Sequence, residues 1–462
     1  MMKKLKSLLY LALAGLQMLA FAACGPRENE NDANKTKLKV SYFKAGYGEE
    51  WIVQTAKAFE KKHPDVKVVL EGNFDMENIV KTRFDSKDPS LLSDVFTVCN
   101  PYFYLDYQRK GYLEDLTSMY NEEVENGKTS VDLVDPRMNE LIIRGGKYYG
   151  VPWTGATTGI VYNVKMFEKN HWQIPSTMDE FVSLCYTIKD SGTLPLVYCG
   201  AAAEGYFLNP MIAWFAQYEG TESFEEFFKY ESADVYKKEG RLKAYEQVAR
   251  IICDNKIVSR ASKSYNHLAA QREFIKGNAA MIVSGSWIET EMSEFLSGFP
   301  EFEMAMMPMP FIKADKTDKD GNPALRTNTA SGDVFIVPAK AAQKELAKEF
   351  LKFMNTQEML ELFVKTTGGN PRPVQIDRKD WSKELNTFGQ SVMEIWQNSY
   401  NIFQFSTAEI YQKGQIGPFL ANSGSPVTFM SSAKTVEEGK NKALQLYNDD
   451  YAIAVQRFTD YG

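Results

Sequence analysis

The residue types best suited to ligand chemistry stand together at positions 274–287, which read Phe-Ile-Lys-Gly-Asn-Ala-Ala-Met-Ile-Val-Ser-Gly-Ser-Trp. A glycine turn and a run of small residues predict a closely packed strand, after which Gly285 lets a ligand approach the backbone. Ser286 and Glu289 have the spacing of a capping box for a following helix. The Trp287 ring could stack on the apolar face of a sugar while nearby N–H groups meet its hydroxyls. By residue chemistry alone, a core position fits Trp287 almost as well.

Other candidate ligand contacts follow predicted strands of the first part of the chain. Tyr47 and Glu50 come after the first of these strands, and Asn100 and Tyr102 come after the apolar strand at 95–98. In open α/β sheets, ligands bind beyond the carboxyl ends of the strands. The loops at 44–50 and 99–104 are therefore predicted to face a ligand.

The second part of the chain adds candidates of the same kind. Tyr206, Asn209 and Trp214 lie in an aromatic and polar stretch, and Asp333 directly follows a Ser-Gly pair. Carboxylates and amides can bind sugar hydroxyls, and aromatic rings supply a shape-selective stack. For each of these residues a packing role is at least as good an interpretation.

The elements that must position these residues follow a β-α-β pattern. The apolar alternation at 38–43 predicts a strand, and the spacing of Ile52, Ala56 and Phe59 predicts a helix that stops before Pro64. Further strands at 66–70 and 95–98, with a helix between them, continue the alternation. This pattern is typical of a parallel sheet that is covered on both faces.

The first residues of the chain are typical of a secretory signal with a lipid-attachment site. Three lysines precede a short apolar segment that ends in Phe-Ala-Ala-Cys, with the cysteine at Cys24. This order predicts a lipoprotein signal peptide at 1–23, lipidation of Cys24, and a flexible polar tether at 24–35. The expected location is the extracytoplasmic face of the cell membrane, and an uncleaved signal anchor is the alternative.

Composition limits the class of protein. The chain has 462 residues, of which 44% are hydrophobic and 24% charged, and this is typical of a globular chain with two or three domains. The net charge of -7 argues against binding to nucleic acid. Aromatic residues make up 13%, more than a core of this size needs, so some rings are expected to face a ligand.

The cysteines do not indicate a metal site. Cys99, Cys185, Cys199 and Cys253 lack metal-ligand spacing, although an oxidising compartment would allow disulfides. A chain of this length does not need disulfides for stability, so buried thiols are the favoured interpretation. If one pair forms, Cys185 with Cys199 is the expected pair.

Several separated motifs resemble the family 1 extracellular solute-binding proteins, the receptor lipoproteins of carbohydrate importers of the ABC type. Each motif is weak alone, but the ordered set and the lipidation signal together are specific. The motifs are Ala-Phe-Glu-Lys-Lys-His-Pro-Asp-Val-Lys at 58–67, Gly-Lys-Tyr-Tyr-Gly-Val-Pro-Trp at 146–153, Gly-Ile-Val-Tyr-Asn at 159–163, Pro-Ser-Thr-Met-Asp-Glu-Phe at 175–181, the block at 276–287, Ala-Lys-Glu-Phe-Leu-Lys-Phe at 347–353 and Gly-Gly-Asn-Pro-Arg-Pro at 368–373.

The resemblance implies an α/β fold of the two-lobed, type II periplasmic-binding-protein kind, with a multi-segment hinge. Mapped onto this chain, lobe 1 would hold 36–148 and 327–368, and lobe 2 would hold 149–326 and 369–462. A carbohydrate, expected to be an oligosaccharide, would bind between the lobes, and lobe closure would be read by permease subunits of an ABC transporter. No bond is broken, and no cofactor, metal or catalytic residue is expected. The protein would act as a monomer.

Ligand roles transfer from the family most directly to Trp287, with Gly285 and Ser286 beside it. Trp153 stands where the family often places a ring or polar contact, next to the first crossing between the lobes. The remaining candidates rest on their position in the predicted fold.

Two other classes of function stay open. Paired carboxylates with cleft aromatics also serve an extracytoplasmic polysaccharide-active enzyme, but the chain shows no supporting constellation and has only three histidines. Alternatively, the same fold could bind a peptide, a polyamine or a metal, or serve as a sensor. Loops rich in aromatic rings favour a sugar over a metal.

Overall fold

The computed structural model describes residues 32, 34–201, 205–375, 383–420 and 425–462, so the predicted signal peptide, Cys24 and most of the tether lie outside the described residues. The strands in chain order are β1 (Thr36–Phe43), β2 (Val66–Asn73), β3 (Val95–Val98), β4 (Glu123–Glu125), β5 (Lys128–Thr129), β6 (Ile143–Arg144), β7 (Lys147–Tyr148), β8 (Val151–Thr154), β9 (Thr158–Asn163), β10 (Leu194–Val197), β11 (Ala279–Gly285), β12 (Met304–Met307), β13 (Thr327–Ala330), β14 (Asp333–Ile336) and β15 (Tyr400–Phe403).

The α-helices are α1 (Glu50–Lys62), α2 (Met76–Ser86), α3 (Pro101–Arg109), α4 (Thr117–Asn121), α5 (Ser130–Leu133), α6 (Asn139–Ile142), α7 (Val164–Asn170), α8 (Met178–Asp190), α9 (Gly205–Glu219), α10 (Thr221–Lys229), α11 (Glu239–Ile252), α12 (His267–Ile275), α13 (Ile288–Glu291), α14 (Ser293–Leu296), α15 (Lys344–Phe353), α16 (Gln357–Thr366), α17 (Thr387–Asn398), α18 (Glu409–Gln412), α19 (Pro426–Ser431) and α20 (Val436–Tyr461). Within the described residues, none of them combines the length and the apolar character that a bilayer crossing needs.

The first sheet has the strand order β2-β1-β3-β14-β8. β1 pairs in parallel with β2 and with β3, as the β-α-β pattern predicts. The predicted helix between β1 and β2 forms as α1, and its residues Ile52, Ala56 and Phe59 are buried against this sheet's core. β14, from a much later part of the chain, runs antiparallel between β3 and β8. The sheet of the first lobe is therefore built from the early strands of the chain and completed by a strand that comes much later.

The second sheet has the order β10-β11-β9-β13-β15, with β12 also paired to β9. Strand β11, between β10 and β9, is buried along its whole length, as the run of small and apolar residues predicts. The family motif at 175–181 contains the start of α8, where Thr177 and Glu180 form a capping box.

The chain passes between the two sheets at 155–157 and at 331–332, and a third passage is implied because Val374 still pairs with the first lobe whereas α17 packs against β12 of the second. The first two crossings are joined by a hydrogen bond from the Ser331 amide to the Gly155 carbonyl at 2.7 Å. The Gly155 amide in turn donates to the Pro371 carbonyl at 2.9 Å, which ties the first crossing to the segment before the third. These bonds make the hinge one connected unit.

The predicted lobe boundaries fall a few residues too early. β8 still belongs to the first sheet, although the boundary at 148/149 would give it to lobe 2, and β13 belongs to the second sheet, although 326/327 would give it to lobe 1. Val374 pairs with Val134 of the first lobe, beyond the boundary at 368/369. The motifs mark the strands that lead into each crossing, and these strands finish in their own sheet before the chain crosses.

None of the four cysteines beyond the signal region forms a disulfide in the described part of the chain. Cys185, Cys199 and Cys253 are buried, so the interpretation as buried thiols is confirmed for these three. Cys99 is partly exposed beside the cleft described below.

Candidate ligand-binding cleft

The candidate site lies where β1 and β3 end and β14 begins. Val334 of β14 is registered with Val98 of β3, which places Asp333 at the same sheet edge as the loop that starts at Cys99. Tyr47 is in the loop after β1, at the same edge. The rule that ligands bind beyond strand carboxyl ends therefore gathers three separated segments at one place.

Tyr47 forms one wall of this site. It is buried, and its ring packs edge-on against Trp153 with a centroid distance of 5.4 Å. Burial, followed by the nearby Asp333 carboxylate, raises the pKa of Tyr47 well above its ordinary value. Its hydroxyl stays protonated and is hydrogen-bonded to the Thr154 side chain.

Two carboxylates lie on the floor of the site. Asp333 is 7% exposed, and burial, followed by the charge of Glu77, raises the pKa of its carboxyl group well above the ordinary value. The Glu77 carboxylate accepts hydrogen bonds from the amides of Cys99 and Asn100, the second at 3.1 Å. Its other oxygen is buried without a partner among the described residues, and burial raises the pKa of Glu77 as well.

Trp287 enters the site from the second lobe, directly after β11. A Cβ atom on Gly285 would overlap the Trp287 ring, so glycine is required there for the ring to fold over the backbone. On its other side the side chain meets the first lobe, because a Cβ atom on Gly46 would lie 3.4 Å from the Trp287 Cβ. The ring also contacts Tyr206, with centroids 5.2 Å apart. Trp287 thus bridges the two lobes at the cleft.

Ser286 has a different role from the one that its spacing predicts. It forms no capping box with Glu289, because Trp287 is the N-terminal cap residue of α13 and makes no side-chain cap bond. Instead the Ser286 hydroxyl donates to the Asn370 side chain and accepts from the Thr157 amide at 3.0 Å. Ser286 is fully buried, so it connects the Trp287 turn to the hinge.

The rim of the cleft is formed by Tyr102 and Gly414. A Cβ atom on Gly414, which has a φ of +69°, would lie 3.3 Å from the Tyr102 hydroxyl, so the first lobe touches the second here too. Asn100 is exposed and caps α3 by accepting from the Tyr102 amide at 2.9 Å. Asn100 therefore fixes the helix that presents Tyr102.

Asn209 and Tyr206 come from α9 of the second lobe. The Asn209 side-chain oxygen accepts a hydrogen bond from the Gln404 side chain at 3.0 Å, and the Asn209 main-chain carbonyl accepts one from the Thr329 hydroxyl at 2.7 Å. Asn209 is thus held beside the hinge strand β13. Tyr206 is partly buried against Trp287 and has a pKa raised mainly by burial.

Three of the predicted residues lie away from the cleft surface. Trp214 is fully buried and donates to the Pro310 carbonyl at 3.1 Å, because α9 is apolar on all sides and sits inside the second lobe. Trp153 is also fully buried, and it supports Tyr47 from behind. Glu50 is exposed on α1, where it accepts from Gln54 at 2.7 Å.

A larger groove of about 1120 Å³ separates the lobes next to this cleft. Phe405 lines the groove and also lies near Gly332, the neighbour of Asp333. Arg137 of the first lobe crosses the groove by donating to the Asn401 carbonyl at 3.1 Å and by packing over Tyr400. Aromatic and charged side chains both line it, including Arg109, Glu140, Phe228, Phe403 and Gln412.

Sequence reasoning missed Glu77, Asn370 and Phe405. Glu77 stands in the first turn of a helix, where an acidic residue is expected for helix stability alone. Asn370 lies within the motif at 368–373, but nothing in that motif indicates its bond to Ser286. Phe405 comes shortly after the last strand, and this position at a strand end could have indicated that it lies near the cleft.

The comparisons with known proteins place the chain in a family. Residues 45–360, more than half of the chain, match the sequence model of the bacterial extracellular solute-binding proteins, and the chain belongs to this family. The family is one of substrate-binding receptors, so the predicted resemblance is confirmed.

Two relatives show how far the similarity extends. The multiple sugar-binding protein of Streptococcus mutans is 24% identical over 394 residues, which cover 83% of this chain and 86% of that protein. The diacetylchitobiose-binding protein NgcE of Streptomyces coelicolor is 24% identical over 353 residues, which cover 72% of this chain and 69% of that protein. This chain is therefore similar to them over most of its length.

Solved structures show the same fold. The bacterial solute receptor AcbH matches with a TM-score of 0.67 at 15% identity, over 93% of this chain and 100% of that one. The apo form of RafE from Streptococcus pneumoniae matches with a TM-score of 0.65 at 18% identity, over 91% and 99%. The predicted two-lobed α/β fold of type II is confirmed.

Proposed function

We propose that this protein is an extracytoplasmic receptor that binds a carbohydrate between its lobes and delivers it, chemically intact, to an ABC-type importer. The observation that carries the proposal is the cleft that joins Tyr47 and Asp333 of the first lobe to Trp287 and Tyr206 of the second. Rings that stack and carboxylates that accept hydroxyl hydrogens are what a sugar needs. The similarity to receptors named for sugars supports the same ligand class.

The expected ligand is an oligosaccharide. The groove of about 1120 Å³ begins beside the cleft floor and carries aromatic rings from the second lobe, including Phe403 and Phe405. A sugar bound at Asp333 and Trp287 could extend further units along it. Closure would be favoured because such a ligand contacts both lobes only in the closed state.

Membrane attachment is proposed from the sequence of the first 24 residues. Cys24 would carry the lipid, which leaves the two lobes at the outer face of the membrane next to the permease subunits. A Cys24→Ala variant should be released from the membrane fraction of its native host, and the mature wild-type protein should begin at a lipidated cysteine by mass spectrometry. An unlipidated protein that still starts at Met1 would contradict the anchor without affecting the sugar proposal.

The sugar proposal is tested with the mature protein and a panel of mono- and oligosaccharides. Tryptophan fluorescence follows binding, since Trp287 lies in the cleft, and chromatography of the same samples follows any product. A saturable change without product is the expected result for a receptor. Turnover would instead identify a polysaccharide-active enzyme, and a response to a peptide or a polyamine alone would contradict the carbohydrate.

A further inference from the structure

The cleft floor has an unusual charge pattern. Asp333 and Glu77 come from different elements, β14 and α2. Burial raises the pKa of both carboxyl groups, and the charge of Glu77 raises that of Asp333 further. Two buried carboxylates in one place destabilise each other's charged form. Among the described residues, the partners of these carboxyl groups are neutral: a side-chain hydrogen bond with Ser331 for Asp333, and the amides of Cys99 and Asn100 for Glu77. The floor therefore holds two carboxyl groups whose charged forms are disfavoured until a positive charge lies beside them.

The other titratable groups at this place do not supply a positive charge. Cys99 and Tyr47 are held neutral because burial, followed by the charge of Asp333, raises their pKa. Lys44, the basic residue of the loop after β1, pairs with Glu49 at 2.6 Å. The missing counter-charge is therefore not provided from the adjacent loop.

The walls of the cleft suit a cation as well. The rings of Trp287 and Tyr206 meet at 5.2 Å, and Tyr47 faces the same space from the first lobe. Aromatic faces attract cations electrostatically, most strongly where water is excluded. The indole N–H of Trp287 lies beside the Tyr206 hydroxyl, so the two rings are held together on one wall. Carboxyl groups and aromatic rings together match a sugar that carries both hydroxyls and a positive charge.

We propose that the cleft selects an amino sugar, in which a free protonated amine lies beside Asp333 and Glu77 while the ring stacks on Trp287. The proposal rests on the proposed function and specifies its ligand class. The ammonium group of the sugar would supply the positive charge that these carboxylates lack among the described residues. A neutral sugar would leave both carboxylates without a counter-charge. An N-acetylated sugar would have the same shape near the ring but no charge.

The test is calorimetric titration of the mature protein with matched sets of sugars near neutral pH, where amines still carry a proton and the two carboxyl groups, with their raised pKa values, can ionise more readily than in acid. Each set contains a hexosamine, its N-acetyl form and its neutral parent, as monosaccharides and as linked dimers. We expect the amino member to bind at least about tenfold more tightly than its neutral partners, as for a close charge pair. If neutral or N-acetylated members bind equally well or better, or only neutral sugars outside the sets bind, the amino-sugar proposal is overturned and the receptor proposal stands. If no sugar binds, both fail.

Variants connect the preference to the carboxylates. In Asp333→Asn the amino member should lose its advantage while stacking on Trp287 remains, so the ratio of affinities should approach one. Asp65→Asn is the matched control, because Asp65 is exposed just before β2, at the opposite edge of the same sheet, and should keep the ratio. Glu77→Gln provides a second reading if Asp333→Asn does not fold by circular dichroism. An unchanged ratio in a folded Asp333→Asn or Glu77→Gln protein would overturn the proposal.

Discussion

Two buried aspartates of this protein have opposite surroundings. Asp450 on α20 is fully buried and accepts from Arg241 at 2.5 Å, from the Tyr245 hydroxyl at 2.8 Å and from the Leu420 amide at 2.9 Å. Asp333 in the cleft is almost as buried, but the charge that acts on it is that of another carboxylate, Glu77. One aspartate is fully partnered inside a lobe, and the other is left without a counter-charge between the lobes.

The contrast separates a structural site from a binding site. Around Asp450, Arg241 also donates to the Pro418 carbonyl at 3.1 Å, so this cluster holds the segment that leads from Gly414 at the cleft rim to Leu420. Such a network stabilises one arrangement of the chain. The surroundings of Asp333 cost stability, and proteins keep such costs where a ligand will supply the missing partner.

The largest effect is expected from removing the partnered aspartate. Asp450→Ala leaves Arg241 buried without its counter-charge and should lower the free energy of unfolding by about 3–5 kcal/mol. Urea denaturation followed by circular dichroism measures this. The neighbouring Asp449 is exposed on the same helix, and Asp449→Ala should have little effect. Equal stability of the two variants would remove the distinction between Asp450 and an ordinary surface aspartate.

The next effect concerns the residue that bridges the lobes at the cleft. Trp287→Ala removes the stacking surface and the contacts with Tyr206 and Gly46, so sugar affinity should fall by about thirtyfold, or about 2 kcal/mol. Trp287→Phe keeps a smaller ring and should lose less. Fluorescence of the remaining tryptophans or calorimetry gives the affinities. Unchanged binding in a folded Trp287→Ala protein would exclude Trp287 from the site.

The sequence predicted local structure better than long-range contacts. The strand at 95–98 was predicted with its observed bounds, because an apolar run enclosed by polar residues is a local signal. The strand-end rule predicted that the loops at 44–50 and 99–104 share one edge, but it also selected Glu50, which is exposed on α1, and it did not indicate that Asp333 would join them through the pairing of β14 with β3. A shift of one position along a loop decides whether a side chain faces the cleft or the solvent, and the sequence pattern does not specify the loop conformation to that precision.

The missed residues act through partners distant in the chain. Glu77 reaches an amide 22 positions later, and Asn370 binds a hydroxyl 84 positions earlier. Trp214 was misjudged for the related reason that an aromatic stretch looks the same whether its helix lines a cleft or fills a core. Only the packing of α9 inside the second lobe decides between these.

A smaller effect is expected from neutralising Asp333, the aspartate whose partner Ser331 carries no charge. Asp333→Asn removes a buried charge that has no counter-charge and should raise the free energy of unfolding at neutral pH by about 1 kcal/mol. The same variant should bind its sugar more weakly, since it loses a charged acceptor. Thermal unfolding and titration of one preparation measure both. A loss of stability would mean that Asp333 has a structural partner and resembles Asp450 after all.

The smallest expected effect is the pH dependence of the stability that Asp333→Asn gains over the wild-type protein. The pKa of Asp333 is near 3.8 in the unfolded chain and well above it in the folded protein, mainly because of burial and then the charge of Glu77. The folded wild-type protein therefore binds more protons between these two values, and its stability falls as the pH rises through that window. The Asp333→Asn variant does not lose stability in this way, because it has no carboxyl group at that position. The other titratable groups of the site, Glu77, Cys99 and Tyr47, are present in both proteins. The difference in melting temperature between variant and wild type should thus be small near about pH 4 and grow toward neutral pH. The exposed control Asp65→Asn should show no such growth, and a difference that shrinks with rising pH would mean that the ionised carboxylate of Asp333 is stabilised within the protein itself.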